Sequence, residues 1–255
     1  MHKVLAIALN TFRETVRDKI LYTLLVFAIA MIGSAAVLIR ISVRAEGRII
    51  QDLGLAAISI MGVLMATFVG ITLVYKEVDR RTIFTIVSKP IHRYQFILGK
   101  YLGLLATLLV NVAAMALGLL LVARALEGHW EWILLPAVWL TYTELAVVTA
   151  LATLFSAFTT PVLSATFTLS LFLIGRLSGD LVAFLGRAPS PALRAIAVGL
   201  YYALPNLRAF DVKGQVVLGH LPDPRWVVGA TAYGTLYVVF VLAATVLIFQ
   251  HRDFK

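Results

Sequence analysis

The sequence lacks cysteine altogether and has few charged residues. Of its 255 residues none is Cys and only 14% are Asp, Glu, Lys or Arg, whereas 61% are hydrophobic. The first absence excludes disulfides and thiolate metal sites. The second argues against an ordinary soluble domain, in which about 25% of residues are charged. One protein core is too small to bury this much apolar surface, so we expect most of it to face lipid.

Common motifs of catalysis and nucleotide binding are also missing. No H-E-x-x-H, G-x-S-x-G or G-x-x-x-x-G-K-[ST] sequence occurs, and Gly99-Lys100 is followed by Tyr101. The five histidines are scattered near the ends of apolar runs and predict no metal site. They are His2, His92, His129, His220 and His251. We therefore expect no enzyme activity in this chain, and an intramembrane enzyme is the least favoured hypothesis.

Six apolar segments are predicted to cross a bilayer as helices. A hydrocarbon core about 30 Å thick requires roughly 20 apolar residues in an α-helix. The predicted spans are Ile20–Ile39, Leu53–Tyr75, Tyr101–Ala123, Trp132–Phe155, Pro161–Gly175 and Trp226–Phe249. The fifth is short, and an extension to Leu177 would lengthen it. The fold class is thus an all-α membrane protein, with residues 1–255 forming a single transmembrane domain.

Two of the segments between or before these spans are predicted to be helical at a membrane surface. In residues 1–18, apolar side chains recur at helical spacing and lie opposite basic ones, which indicates an amphipathic interfacial helix. The apolar positions are Leu5, Leu9, Phe12 and Val16. Residues 176–225 form a predicted external segment, with a short helix that starts after Pro189 or Pro191 and ends at Pro205.

The formal net charge of +9 predicts an orientation rather than a nucleic-acid site. Basic residues near the ends of membrane spans interact with anionic lipid headgroups. Lys and Arg in residues 1–19, in residues 76–100 and in the tail would lie on one side of the bundle. By the positive-inside rule this side faces the cytoplasm. We expect a multi-pass protein of a prokaryotic inner (plasma) membrane with both termini in the cytoplasm.

Residues 76–100, between the second and third spans, form an insert with a dense mixture of charges. Glu77 and Asp79 begin it, and acidic residues favour a helix N-terminus. An apolar side follows, and Pro90 ends the predicted helix. The apolar side consists of Ile83, Ile86 and Val87. The physical pattern leaves two interpretations open: a docking surface, or a solvated loop whose basic residues only set the topology.

The sequence YKEVDRRTIFTIVSKPIHRYQFILGKYLG resembles the cytoplasmic segment of ATP-binding-cassette (ABC) transporter permeases of the type-2 exporter class. In that family an acidic start precedes Arg and Thr, an apolar stretch, P-x-x-R, and a GK pair that enters the next span. The matching residues are Glu77, Asp79, Arg80, Arg81, Thr82, Pro90, Arg93, Gly99 and Lys100. The six spans, the first helix, the external segment and the basic tail extend the resemblance over essentially the whole chain.

This resemblance implies one half of an ATP-driven transporter. In the family, two permease subunits, identical or different, pair with two cytoplasmic ATPase subunits that bind ATP and Mg. The insert acts as a coupling helix in a cleft of the ATPase, so the permease itself needs no cofactor. The coupling residues implied here are Glu77, Asp79, Arg80, Arg81, Thr82, Phe84, Pro90, Arg93 and Lys100. The alternative function is a stand-alone channel or secondary transporter.

Glu144 is the only acidic residue deep inside a predicted span. A charge in the hydrocarbon region costs roughly 3 kcal/mol or more, so such residues face protein or water. One interpretation is a substrate contact or a proton-linked switch. The other is a hydrogen bond to a neighbour such as Asn111, Thr141 or Tyr142.

Two further patterns inside the spans have both structural and functional interpretations. Ser164 and Thr168 share one face of the fifth span, where they would line a path or bond to their own helix. Gly62, Ala66 and Gly70 form a small-residue stripe in the second span that permits close helix packing. The resemblance implies that spans two and five border the transport route, whereas the residues alone indicate packing.

Overall fold

The computed structural model of the chain describes residues 2–39, 46–79, 92–185, 199 and 204–250. Within these ranges every regular element is a helix, which confirms the all-α prediction. The helices are α1 (His2–Val16), α2 (Lys19–Ile39), α3 (Glu46–Asp79), α4 (Arg93–Glu127), α5 (Leu135–Ser156), α6 (Pro161–Leu185), α7 (Lys213–Val217) and α8 (Pro224–Gln250). Short 3₁₀ turns precede α5 at Trp132–Leu134 and α7 at Leu207–Phe210.

Five helices are long and apolar enough to cross a membrane in the described part of the chain. The segments are Arg48–Ile71, Tyr94–Glu127, Trp132–Ser156, Pro161–Gly179 and Pro224–Phe249. The apolar part described in α2, Lys19–Ser34, is shorter than a full span. The chain is therefore a multi-pass membrane protein, and its sixth span stays a prediction.

The two helices beside the insert are longer than the predicted spans. α3 has 34 residues and α4 has 35, so at 1.5 Å per residue each is about 50 Å long. This exceeds the roughly 30 Å of hydrocarbon in a bilayer. Glu77 and Asp79 lie in the last turn of α3, which corrects the expectation that they start a separate helix. Similarly, α4 begins at Arg93 rather than Tyr101.

The fifth span is also longer than predicted. α6 continues without interruption to Leu185, so residues 176–185 belong to this helix and not to a separate external segment. Hydropathy marks where side chains become polar, but a helix backbone need not end there. The helix predicted to end at Pro205 falls mostly outside the described residues.

The centre of the bundle is the contact between α3 and α5. A Cβ atom on Gly62 would lie 2.6 Å from Leu145 Cδ1, and one on Gly70 would lie 2.9 Å from the Cβ of Ala152. Ala66, between these glycines, is fully buried. The small-residue stripe of the second span therefore packs against α5, as the residues alone indicated.

α1 packs against the first turns of α4 through a second pair of small residues. A Cβ atom on Gly99 would lie 2.9 Å from the carbonyl oxygen of Val4, and one on Gly103 only 2.5 Å from that of Ala8. Leu5 and Leu9, on the predicted apolar face, are exposed and point away from this contact. That face is available to lipid, and its placement along the membrane surface stays a prediction.

Candidate functional site

The predicted coupling segment connects α3 to α4 at one end of the bundle. Gly54, near the start of α3, contacts Leu119, near the end of α4, so the two helices are antiparallel. The end of α3 at Asp79 and the start of α4 at Arg93 therefore lie at the same end. The other predicted coupling residues between them, Arg80, Arg81, Thr82, Phe84 and Pro90, lie outside the described residues.

Lys100 has a different environment from the one expected at a membrane surface. Its side chain is buried, and its Nζ atom lies 5.0 Å from the centre of the Phe96 ring. This is within the range of a cation–π interaction. Gly99, the other residue of the GK pair, is covered by α1. In this chain Gly99 is thus part of the packing between α1 and α4, and Lys100 is buried beside Phe96 of its own helix.

A buried network of charged groups lies towards the opposite end of the bundle. The Glu144 side chain, on α5, is 1% exposed, and its Oε1 atom accepts a hydrogen bond of 3.0 Å from the Arg176 guanidinium on α6. The same guanidinium donates to Asp211 Oδ2 at 2.8 Å. Arg176 therefore bridges two carboxylates that come from different parts of the chain.

Asp211 reaches this network because the segment before α7 packs into the bundle. Leu207, Phe210, Val212 and Val216 are all buried, at a periodicity that suits the 3₁₀ turn and the short α7. These apolar residues anchor the segment, and Asp211, between the two helical turns, meets Arg176. The described part of the predicted external segment is thus a packed element of the bundle.

Two glycines on α6 make room for this segment. A Cβ atom on Gly175 would lie 2.6 Å from the carbonyl oxygen of Pro205, and one on Gly179 would lie 2.7 Å from an Arg208 guanidinium nitrogen. Arg176 follows Gly175 directly, so the position that admits the segment also positions the bridging cation. Tyr233, on α8, adds a contact because its hydroxyl accepts a 2.9 Å hydrogen bond from the Asn206 backbone N–H.

Lys213 supplies a fourth charged group. It is buried at the start of α7, and its backbone N–H donates to Asp211 Oδ1 at 3.4 Å. Burial lowers the pKa of its ammonium group, while the charge of Glu144 acts in the opposite direction. The charges of Asp211 and Asp52 also raise this pKa, and the pairing of opposite charges lowers the cost of holding them inside the protein. The second oxygen of Glu144, Oε2, has no hydrogen-bond partner among the described residues.

The partners predicted for Glu144 were wrong. Thr141 and Tyr142 bond to the carbonyl oxygens of Ala137 and Leu105, at 2.8 and 3.2 Å. Asn111 donates to the carbonyl of Thr107, one turn back in its own helix, at 2.8 Å. The partner is the cation Arg176, which lies within the candidate span Pro161–Gly179 and not in a separate external segment.

Counting residues from the turn between α5 and α6 would have identified Arg176 as a partner of Glu144. Glu144 is 12 residues before Ser156, the end of α5, and Arg176 is 15 residues after Pro161, the start of α6. At 1.5 Å per residue these are depths of about 18 and 22 Å from the same tight turn. The acid and the base are therefore at similar depths on neighbouring helices. No comparable signal in the sequence predicts Asp211 or Lys213.

Ser164 and Thr168 are both fully buried. Thr168 donates to the Ser164 carbonyl at 2.7 Å, and Ser164 donates to the Ala152 carbonyl on α5 at 3.4 Å. Hydrogen bonds to backbone thus account for both hydroxyls. On the neighbouring face of α6, Thr166 and Ser170 are exposed, so this second face has the greater access to a partner or a solute.

Comparison with known protein families gives a match over nearly the whole chain. A family model described as "ABC-2 family transporter protein" matches residues 5–254. No curated protein matches the chain. The family match covers α1, the insert, the buried network and α8 together.

Proposed function

Since the chain belongs to the ABC-2 transporter family, it is a permease, and we propose that residues 77–100 couple it to a separate ATPase subunit. The ATPase hydrolyses ATP with Mg and closes on the segment. The permease, paired with a second permease subunit, changes between inward-facing and outward-facing states. No ATP is hydrolysed by this chain.

The observation that carries this proposal is the position of the segment between the two longest described helices. α3 is the most buried of the candidate spans and packs along α5 through Gly62 and Gly70. A displacement of the segment therefore acts directly on the centre of the bundle. At the other end of the segment, α4 packs against α1 at Gly99 and Gly103, so a displacement there acts on α1 as well.

The exposed surface of α6 supports a permease partner on that side. α3 keeps only a narrow exposed stripe, formed by Leu53, Ile60 and Phe68, whereas few residues of the candidate span in α6 are buried. Of the two spans expected beside the route, α6 has the free surface. We propose that the route runs along the face with Thr166 and Ser170, with Glu144 behind it as part of the buried network.

The proposal is tested by measuring ATP hydrolysis in the complex of permease and ATPase, purified from native membranes and reconstituted in lipid nanodiscs. We expect Arg81→Glu, or deletion of residues 82–88, to abolish the effect of the permease on hydrolysis. The control is Arg225→Glu, which makes the same charge reversal at an exposed position at the start of α8, at the opposite end of the bundle. This control should leave hydrolysis unchanged.

An intact complex with unchanged hydrolysis in both insert variants would contradict the coupling role. The alternative function, a channel or secondary transporter, predicts something different. This chain alone, reconstituted in liposomes without an ATPase, would then support solute flux. We expect no such flux.

A further inference from the structure

Three side chains that can bind metal converge in the loop between α4 and α5, at the end of the bundle opposite residues 77–100. Glu127, His129 and Glu131 each offer one ligand atom, and all three atoms lie within 4.8 Å of one another. The spacing Glu-x-His-x-Glu differs from that of the helical metal-binding motif H-E-x-x-H. The three side chains come together only because the loop turns back on itself.

The turn is made at Gly128. Its φ of +79° lies in the left-handed region, which favours glycine, and its N–H bonds to the Arg124 carbonyl at 2.9 Å. The turn brings the His129 ring back over the end of α4, where Nδ1 lies 2.9 Å from the carbonyl oxygen of Glu127. A carbonyl oxygen only accepts, so Nδ1 carries the proton and donates.

This hydrogen bond directs the other ring nitrogen towards the carboxylates. His129 Nε2 lies 2.6 Å from Glu131 Oε1 and 3.9 Å from Glu127 Oε2. Two acceptors do not approach to 2.6 Å, so either a proton on Nε2, as in an ion pair with Glu131, or a bound cation lies between them. Metal-binding histidines have the same arrangement, with one ring N–H bonded to a carbonyl and the other nitrogen on the ion.

The Glu127 carboxylate also has a contact from outside the loop. Gln51, buried on α3, places its amide nitrogen 3.5 Å from Glu127 Oε1. The Arg124 guanidinium lies 4.9 Å from the Trp130 ring, which stacks on Trp132. The side chains of Glu127 and Glu131 are only 16% and 15% exposed, whereas His129 is 68% exposed and free to adjust.

From this geometry we propose that Glu127, His129 and Glu131 form a binding site for a divalent transition-metal ion, such as Zn²⁺, which ties the end of α4 to the start of α5. The imidazole favours such an ion over Mg²⁺ or Ca²⁺, which prefer oxygen ligands. Tetrahedral Zn²⁺ with ligand bonds of about 2.1 Å needs its ligand atoms about 3.4 Å apart. His129 Nε2 and Glu131 Oε1 therefore move apart slightly on binding, and water completes the coordination.

Calorimetric titration of the full chain in detergent micelles with ZnCl₂ tests this proposal, using an affinity tag without histidine. We expect one Zn²⁺ per chain and no binding of Mg²⁺ under the same conditions. His129→Ala and Glu131→Gln should each weaken binding at least about tenfold, the lower bound when only an outer partner of a metal ligand is lost. His220→Ala is the matched control, because His220 is another exposed loop histidine, and it should bind as the unchanged chain does.

Two results would overturn the site. One is the absence of saturable Zn²⁺ binding in the unchanged chain. The other is equal binding by His129→Ala, Glu131→Gln and His220→Ala. Glu131→Gln keeps the size of the side chain, so it tests the site even if His129→Ala does not fold. The outcome is independent of the ATPase, and failure of the metal site would leave the coupling proposal as it stands.

Discussion

The chain uses a pair of glycines four residues apart to dock a non-spanning segment at each end of the bundle, with different consequences. Gly99 and Gly103 on α4 admit helix α1, and Gly175 and Gly179 on α6 admit the segment before α7. In both places a backbone carbonyl oxygen occupies the space that a Cβ atom would need. The first contact holds apolar and hydroxyl side chains, whereas the second carries Asp211 to the buried cation of α6.

The difference shows how small-residue packing serves two purposes. At α4 it fixes a helix beside the segment proposed to meet the ATPase, and the two glycines there contact Val4, Ile7, Ala8 and Thr11. At α6 it brings together a charged network that lipid could not solvate. The second contact should therefore depend on its charges as well as on shape.

The largest effect is expected from removing the bridging cation. Arg176→Leu leaves Glu144 buried without its partner, which typically costs about 3–5 kcal/mol of stability. Unfolding of the chain in mixed detergent micelles measures this loss. Adding Glu144→Leu to Arg176→Leu should recover much of the stability, because no unpaired carboxylate then stays on α5. A double variant as unstable as Arg176→Leu would show that the unpaired Glu144 carboxylate does not cause the loss of stability.

A smaller effect is expected from filling the glycine contacts. Gly103→Ala and Gly175→Ala each place a methyl group against a backbone oxygen, at 2.5 and 2.6 Å, and overpacking of this kind costs about 1–3 kcal/mol. Gly118→Ala is the matched control on α4, since no atom lies within 4 Å of its Cβ position. It should gain up to about 1 kcal/mol from helix propensity. Equal changes at Gly103 and Gly118 would contradict the close contact with α1.

The smallest effect distinguishes the two contacts directly. Asp211→Asn removes the more exposed of the two carboxylates that Arg176 bridges, so we expect a loss of up to about 1 kcal/mol. Gly175→Ala displaces the segment that carries Asp211, so the losses of stability in the double variant of Asp211→Asn and Gly175→Ala should be less than additive. In the double variant of Asp211→Asn and Gly103→Ala, the two losses should be additive. Additive losses in both double variants would show that the α6 contact and the charged network stabilise the protein independently, which would contradict the account.

The sequence predicted those parts of the fold that depend on local hydropathy. The starts and ends of α2, α5 and α8 lie within about three residues of the predicted spans. The ends of α3, α4 and α6 were missed because these helices continue beyond their apolar stretch, and helical hydrogen bonds do not require lipid. Hydropathy shows which part of a helix is apolar enough to face lipid more reliably than it shows where the helix ends.

The site was predictable only where one residue was anomalous by itself. Glu144 stood out because an acid inside a span needs a partner, and comparison of depths would have identified Arg176. Asp211 and Lys213 gave no such sign, since their position depends on the packing of a segment whose Asp211 lies 35 residues after Arg176. The loop cluster of Glu127, His129 and Glu131 was missed because it needs a left-handed turn at Gly128.

The absence of cysteine from the chain allows the most direct test of the coupling segment, which is crosslinking from a single introduced thiol. Phe84→Cys carries the thiol between α3 and α4, and Leu221→Cys carries it on an exposed loop at the opposite end of the bundle. In native membranes treated with a short thiol–amine crosslinker, Phe84→Cys should give a product that contains this chain and an ATPase subunit, and Leu221→Cys should not. An ATPase product from Leu221→Cys and none from Phe84→Cys would contradict the account.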